Sequence, residues 1–348
     1  NSLLSGRANF SLSAWGGTAN TLLQTAGKVA LVLLGLGVWG MVGGTILGPL
    51  LVFPLILYWI GVRPALPSKE SLRSIAQYAR WSIPNGLVGT ALSRMDTLLL
   101  GWLATASIAG KYQVGLQITM PAVFVSSVIG TGLMGRISNL DSRDEAWDED
   151  LWNSLSYGPI LAVPIFFGSL VLGEELAVTV FSGQYSGAGI FVVGLALYRL
   201  LKTQYGPFGT VINGLDRPDL SFRISLVSFV LNVVLGVGLW FALGPLGIVL
   251  ATVLTGFVTY ALTIYYVRDL IDLDFLVTTP LLKQYATGLL MAAVVFGLKR
   301  LVGIGSWLHV VGFVGVGAVV YATVLYLWSP HLRGTALGIW RDFRGTYL

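Results

Sequence analysis

Residues 78–102 form a stretch that is long enough to cross a membrane yet carries Asn85, Arg94 and Asp96. An ionisable side chain at the centre of a membrane helix costs about 2.5–3.5 kcal/mol on insertion scales. Such residues face a water-filled cavity or a partner rather than lipid. Arg94 and Asp96 are two positions apart and lie on different sides of a helix, so each requires a partner from elsewhere in the chain.

Arg199 and Lys202 are the second unusual feature, within the apolar residues 190–213. They are three positions apart and therefore share one face of a helix. Two like charges on one desolvated face repel each other, so this arrangement requires an anion. A phosphate or pyrophosphate group would supply it, and so would a carboxylate such as Asp96. The alternative is a structural role, in which both side chains reach the membrane surface or pair with Asp96.

Further polar residues could line the same cavity. Gln113 and Gln117 share one helix face, where their amides could bind sugar hydroxyls, although hydrogen bonding between helices is the favoured interpretation. Asn232 is likewise assigned a structural hydrogen bond, and Tyr112 is assigned to the aromatic belt at the membrane surface. The complete set of cavity candidates comprises Lys28, Asn85, Arg94, Asp96, Gln113, Gln117, Arg199 and Lys202.

Catalysis has little support in the sequence. There are no cysteines, and the only two histidines, His309 and His331, are far apart. Thiol chemistry and Cys-ligated metals are therefore excluded. The acidic residues between 141 and 150 are interpreted as a solvated loop rather than a metal site. We expect no catalytic residue, no metal and no cofactor.

The composition is that of a membrane protein. Hydrophobic residues make up 55% of the chain and charged residues 11%, with a mean hydropathy of +0.78, whereas soluble domains are about 25% charged. At about 20 apolar residues per span, the sequence predicts an all-α polytopic membrane protein. About ten transmembrane helices are expected, at residues 18–36, 39–61, 79–103, 108–136, 155–181, 188–213, 220–243, 246–267, 281–300 and 306–328.

The basic residues indicate the orientation of the chain. Of the 21 Lys and Arg residues, 14 fall in one set of connections, three in the opposite set and four within the spans. The positive-inside rule therefore places the first set, and the C-terminus, in the cytoplasm. We expect a multi-pass protein of the plasma membrane.

An internal repeat indicates how the helices are organised. GVWGMVGGTIL at 37–47 aligns with GPLGIVLATVL at 244–254, and the spacing gives both copies the same membrane orientation. We therefore expect two lobes of parallel repeats, and we expect the first four helices of the N-terminal lobe to be missing from this sequence. The expected parts are a remnant of the N-terminal lobe (1–62), a cytoplasmic linker (63–78), a complete six-helix C-terminal lobe (79–268), and two additional helices with a cytoplasmic tail (269–348).

Glycines and prolines within the spans predict local geometry. Gly40, Gly44 and Gly48 recur every four residues and predict close packing of two helices. Pro121, Pro159 and Pro164 predict kinks that could serve as hinges.

Several segments resemble one family. YARWSIPNGLVGTALSRMDTLLLGWLATASIAGKYQVGLQITMPA at 78–122 is similar to the seventh and eighth helices of polysaccharide-type flippases. These belong to the multidrug/oligosaccharidyl-lipid/polysaccharide (MOP) exporter superfamily. GLDRPDLS at 214–221 and the apolar run at 226–254 resemble later segments of the family. LMGRISNL at 133–140 is similar to the end of its eighth helix, although the usual proline is Gly135 here.

This resemblance implies a MATE/MOP-like bundle of two six-helix lobes, with extra C-terminal helices that would be 281–300 and 306–328. It also implies alternating access and a cationic cavity that takes a polyprenyl- or dolichyl-linked sugar phosphate. Arg94, Arg199 and Lys202 would then be candidates for binding the head group.

The sequence is compatible with three functions. The first is a flippase that moves lipid-linked oligosaccharide to the outer leaflet for cell-surface polysaccharide or glycan synthesis. The second is a cation-coupled multidrug exporter, and the third a membrane-embedded glycosyltransferase or polymerase. The first is favoured because cations outnumber anions within the spans. The expected partners are the lipid-linked glycan, membrane lipids, and glycosyltransferases or a polymerase of the same pathway, with no nucleic acid.

Overall fold

The computed structural model describes residues 10–60, 68–141, 147–268 and 277–329. All regular secondary structure in these ranges is helical, which confirms the predicted all-α class. The α-helices are α1 (Phe10–Leu31), α2 (Gly37–Ile60), α3 (Lys69–Leu103), α4 (Ala106–Thr119), α5 (Phe124–Asp141), α6 (Asp148–Tyr157), α7 (Ala162–Val180), α8 (Gly189–Gly214), α9 (Pro218–Leu243), α10 (Pro245–Val267), α11 (Thr279–Val302) and α12 (Trp307–Trp328).

Seven segments of the described ranges are long and apolar enough to cross a membrane, and the chain is a multi-pass membrane protein. The first of them, Trp15–Pro54, contains parts of both α1 and α2. Helices α3 and α8 are not among the seven, because their charged residues lower the hydropathy. The count of ten transmembrane helices remains a prediction.

Two of the membrane segments are broken at prolines. Helices α4 and α5 are separated by a 3₁₀ turn at Met120–Val123, which contains Pro121, and α6 and α7 by one at Gly158–Ile160, which contains Pro159. Proline has no N–H to donate to the preceding turn, so the helix deviates there. The kinks predicted at these two prolines are confirmed. Pro164 lies in the first turn of α7 and belongs to the second break rather than forming its own.

Helix α3 begins at Lys69, ten residues before the predicted start of the helix at residue 79. Its first turn is capped by Ser68, whose Oγ accepts from the backbone N–H of Ser71 at 3.1 Å. Hydropathy detects only the apolar part of a helix, whereas this polar part is stabilised by capping. The predicted linker is therefore helical from residue 69 onward, and residues 63–67 lie outside the described ranges.

The chain divides into two compact units, Asn1–Ile75 and Ala76–Leu348. In the first unit, α1 and α2 pack closely against each other. A Cβ atom added at Gly44 would come into steric conflict with the backbone of Lys28. Only glycine allows this approach, which confirms the predicted close packing. The predicted division into four parts is not tested by these two units and remains a prediction.

The internal repeat has a structural counterpart at the start of α2 and of α10. Gly37 has φ 49° and ψ −126°, and the aligned Gly244 has φ 61° and ψ −138°. Both conformations have a positive φ, which glycine adopts at low cost. Three residues later, Gly40 and Gly247 each pack against the backbone at the end of the preceding helix. The two aligned segments therefore form the same kind of helix-to-helix turn.

Helix α8 is the centre of the second unit, where it packs against α4, α5, α7 and α10. Its buried side chains include Leu195, Leu200, Phe208 and Val211. Helices α11 and α12 pack against each other and against α7. This arrangement places the face of α8 that carries Arg199 beside α4 and α10.

Candidate functional site

A cavity of about 180 Å³ lies within the second unit, between α3, α4, α8, α9 and α10. Its walls combine charged, hydroxyl and aromatic side chains. The lining residues are Leu92, Ser93, Asp96, Thr97, Tyr112, Leu116, Leu195, Tyr198, Arg199, Lys202, Tyr205, Asn232, Thr252, Thr255 and Thr259.

Asp96 connects several helices at one wall of this cavity. Its Oδ2 accepts hydrogen bonds from Tyr112 Oη of α4 at 2.5 Å and from Thr252 Oγ1 of α10 at 2.8 Å. Asp96 and Tyr112 are each eight residues from Ala104 in the turn between α3 and α4, so the two positions face each other across it. The side chain of Asn232 on α9 is a further hydrogen-bond partner of the Asp96 carboxylate.

Arg199 is half-buried on α8 and forms hydrogen bonds to the end of α4. Its Nε donates to Thr119 Oγ1 at 2.9 Å, and its Nη2 donates to the carbonyl oxygen of Leu116 at 3.3 Å. Two of its donor groups thus bind protein, and the remaining N–H groups of the guanidinium are available at the cavity wall.

Lys202 lies one turn further along α8 and is exposed. Within the described part of the chain, its ammonium group forms neither a hydrogen bond nor an ion pair. In the same part of the chain, Asp96 forms no ion pair with Arg199 or with Lys202. The predicted shared face of Arg199 and Lys202 is confirmed, and it is directed at a cavity.

The remaining sequence candidates lie outside this cavity. Arg94 is exposed and Asn85 is half-buried on α3. Gln113 and Gln117 are exposed on α4, each one position beyond a lining residue and therefore about 100° further around the helix. Lys28 belongs to the first unit, where its backbone packs against α2. Their assignment to a binding site remains a prediction.

The structure adds residues that the sequence interpretation missed. Tyr112 is buried against Asp96 and does not lie in an aromatic belt, because its hydroxyl group completes the bond between α3 and α4. Asn232 forms the hydrogen bond across helices that was predicted, with Asp96 as its partner. It also lines the cavity, and its Oδ1 has no partner among the described residues. Thr252 and Tyr198 also line the cavity and were not predicted to do so. The equal spacing of Asp96 and Tyr112 from Ala104 becomes visible only with the turn at the position that the structure gives it, so the predicted turn did not indicate these residues.

The cavity can bind a ligand that has both negative charge and hydrogen-bond donors. The cations on α8 suit an anionic group, the Asp96 carboxylate suits a hydroxyl or amine donor, and tyrosine rings suit a flat apolar surface. Among the described residues, no group of three or more His, Cys, Asp or Glu is placed to hold a metal ion.

Comparison with known proteins identifies relatives with named roles. The chain is 29% identical to the probable low-salt glycan biosynthesis flippase Agl15 of Haloferax volcanii, with 78% of this chain and 57% of the relative covered. It is 26% identical to the probable flippase AglR of the same organism, with 90% of this chain and 66% of the relative covered. The chain thus spans about three fifths of the length of these relatives.

A solved structure shares the fold. The lipid II flippase MurJ in its inward closed conformation superposes with a TM-score of 0.68 at 14% identity, covering 90% of this chain and 67% of MurJ. At this identity the likeness concerns the fold alone, and it confirms the predicted MATE/MOP-like helical architecture. The family of polysaccharide biosynthesis proteins matches residues 2–189. This match covers more than half of the residues of this chain, and the chain therefore belongs to the polysaccharide biosynthesis protein family.

Proposed function

We propose that this protein is a flippase that moves a lipid-linked oligosaccharide from the cytoplasmic to the outer leaflet by alternating access, for cell-surface glycan synthesis. The observation that supports this most directly is the pair of cations on α8, which faces a cavity inside a membrane-embedded unit. Lys202 has no partner among the described residues. The names of the relatives in Haloferax volcanii point to the same class of transport.

A cation within a membrane-embedded bundle is costly unless an anion or water compensates for it. A polyprenyl or dolichyl phosphate or diphosphate would provide that anion, and Lys202 binds phosphate as a point charge. The sugar next to the phosphate would then lie against the tyrosines and donate a hydroxyl hydrogen to the Asp96 carboxylate.

The proposal includes a location and partners. The protein would lie in the plasma membrane, and the excess of Lys and Arg in one set of connections supports a cytoplasmic C-terminus. Its partners would be the lipid-linked glycan, membrane lipids, and the glycosyltransferases or polymerase of the same pathway. The function proposed is transport without catalysis.

The test is a transbilayer assay with full-length protein in liposomes that contain a fluorescent polyprenyl-diphosphate oligosaccharide. We expect the wild type to move the lipid and the double variant Arg199→Ala/Lys202→Ala to fail while remaining folded. The control variant Arg136→Ala/Arg217→Ala also removes two positive charges, but from exposed ion pairs, and should transport normally. Equal transport by the wild type and both variants would contradict an anion-binding cavity.

A cation-coupled multidrug exporter is the second candidate, supported by the Asp96 carboxylate at the wall of the cavity. That function predicts export of cationic dyes that is lost in Asp96→Asn. If the wild type exports dyes in this manner and moves no glycolipid, the exporter replaces the flippase.

A further inference from the structure

Three membrane helices lose backbone hydrogen bonds at adjacent places beside the cavity. The turn at Met120–Val123 contacts the turn at Gly158–Ile160, and both contact α8. A Cβ atom added at Gly158 would lie 3.6 Å from the carbonyl oxygen of Thr203. Pro207 within α8 cannot donate to that same carbonyl, four residues earlier. The two turns therefore lie together, beside the part of α8 in which Pro207 removes one backbone hydrogen bond.

Arg199 reaches into the first of these breaks. At the end of α4 the N–H of Met120 bonds to Gln117, three residues back, rather than to Leu116, four residues back. The Leu116 carbonyl, which thereby lacks its helical N–H donor, accepts from Arg199 Nη2 at 3.3 Å. The guanidinium thus replaces a backbone donor that the break has removed.

The second contact of Arg199 extends the connection to the side chain of Thr119. Its hydroxyl accepts from Arg199 Nε at 2.9 Å and donates to the carbonyl of Gly115 at 2.8 Å. Thr119 is fully buried, so this chain of hydrogen bonds is shielded from competing solvent. Arg199 therefore binds the last turn of α4 through two acceptors at once.

We propose that Arg199 is a positioning residue that fixes the angle between α4 and α5, and that Lys202 is the cation that contacts the anion. The break at Met120–Val123 is then a hinge whose geometry depends on Arg199. The link from this hinge to transport rests on the proposed flippase function, but the hinge itself does not.

The two cations differ in what a substitution would remove. Arg199 uses the planar fork of a guanidinium to reach two acceptors, and a lysine at this position would keep the charge but could not bridge both. Lys202 has no described partner, so its replacement changes charge without releasing the break. Arg199→Lys therefore removes the positioning role of Arg199 while keeping its positive charge.

The hinge can be measured directly by the distance between two spin labels. This chain contains no cysteine, and Ser107 on α4 and Thr131 on α5 are exposed positions on either side of the break. With labels at Ser107→Cys and Thr131→Cys in full-length protein without substrate, we expect one narrow distance distribution. Arg199→Lys and Thr119→Val should each broaden or shift it, and Lys202→Gln should leave it unchanged.

Transport kinetics provide the second readout. Arg199→Lys should lower the maximal flipping rate about tenfold and change the half-saturating substrate concentration less than about twofold. Lys202→Gln should mainly raise that concentration. An unchanged distance distribution in both Arg199→Lys and Thr119→Val would overturn the hinge, and so would Arg199→Lys kinetics that match those of Lys202→Gln. If the wild type moves no glycolipid, the proposed function fails, whereas the spin-label distances still decide the hinge.

Discussion

Tyr112 donates its hydroxyl hydrogen to Asp96 Oδ2 across 2.5 Å, and this bond joins α3 to α4 at the wall of the cavity. Tyr112 is only 2% exposed. A hydrogen bond to a carboxylate that is shielded from water contributes more than a neutral one. The same carboxylate thus keeps two helices in register and lines the cavity.

Replacement of Tyr112 by phenylalanine should destabilise the protein. The change removes one hydroxyl group from a buried position and leaves Asp96 with one donor fewer, which costs about 1.5–3 kcal/mol. Tyr321→Phe is the matched control, because the buried hydroxyl of Tyr321 has no hydrogen-bond partner in the described part of the chain. Unfolding in SDS mixed micelles should show a clear loss for Tyr112→Phe and none for Tyr321→Phe. Equal effects of the two changes would show that the bond to Asp96 contributes little.

The charged residues that line the cavity could be predicted from the sequence, whereas most of its neutral lining residues could not. Asp96, Arg199 and Lys202 could be predicted because a charge in an apolar stretch is costly wherever the helix lies. Tyr112 and Thr252 are residue types that occur throughout membrane helices. Their role depends on the rotation of α4 and α10 about their axes, which hydropathy does not specify.

For the helix breaks, the sequence predicts the positions but not the side chains that bind the carbonyl groups there. Proline chemistry locates the breaks at Pro121 and Pro159, because the missing N–H is a property of the residue itself. Which side chain then binds the opened carbonyl depends on tertiary packing. Arg199 and Gln284 come from other helices, 83 and 128 residues away from the carbonyls they reach.

Gly247 should not tolerate even a methyl group. A Cβ atom at this position would come into steric conflict with the backbone carbonyl of Leu239, which cannot move without shifting α9. Gly247→Ala should therefore cost about 1–3 kcal/mol through overpacking. Gly312→Ala in α12 has open space around the new methyl group and should gain about 0.5–1 kcal/mol, because alanine is the better helix former. Melting temperatures in detergent should move in opposite directions, and a common direction would contradict this account of the repeat.

Gln284 should be essential for attaching α11 to the break between α6 and α7. Its Nε2 donates to the carbonyl oxygen of Ser156 at 2.6 Å, and the side chain is fully buried. Gln284→Leu keeps a similar volume but leaves that carbonyl without this donor, at a cost of about 1–3 kcal/mol. Gln113→Leu makes the same change at an exposed position and should be nearly neutral. Limited proteolysis and thermal unfolding would measure both, and a stable Gln284→Leu would show that the carbonyl finds another donor.

The costs in stability of removing the Tyr112 and Thr252 hydroxyl groups, which both bind Asp96, should be non-additive. Thr252 Oγ1 lies 2.8 Å from Asp96 Oδ2 and 3.0 Å from the carbonyl oxygen of Ile248, and its single hydrogen can serve only one of them at a time. Thr252→Val alone should therefore cost less than Tyr112→Phe, about 0.5–1.5 kcal/mol. In the double variant the carboxylate loses both hydroxyl donors, so the combined cost should exceed the sum by about 0.5–3 kcal/mol. Repeating the cycle in an Asp96→Leu background should abolish this excess, because the shared acceptor is gone. An additive cycle in the wild type would mean that the two hydroxyl groups act on Asp96 independently.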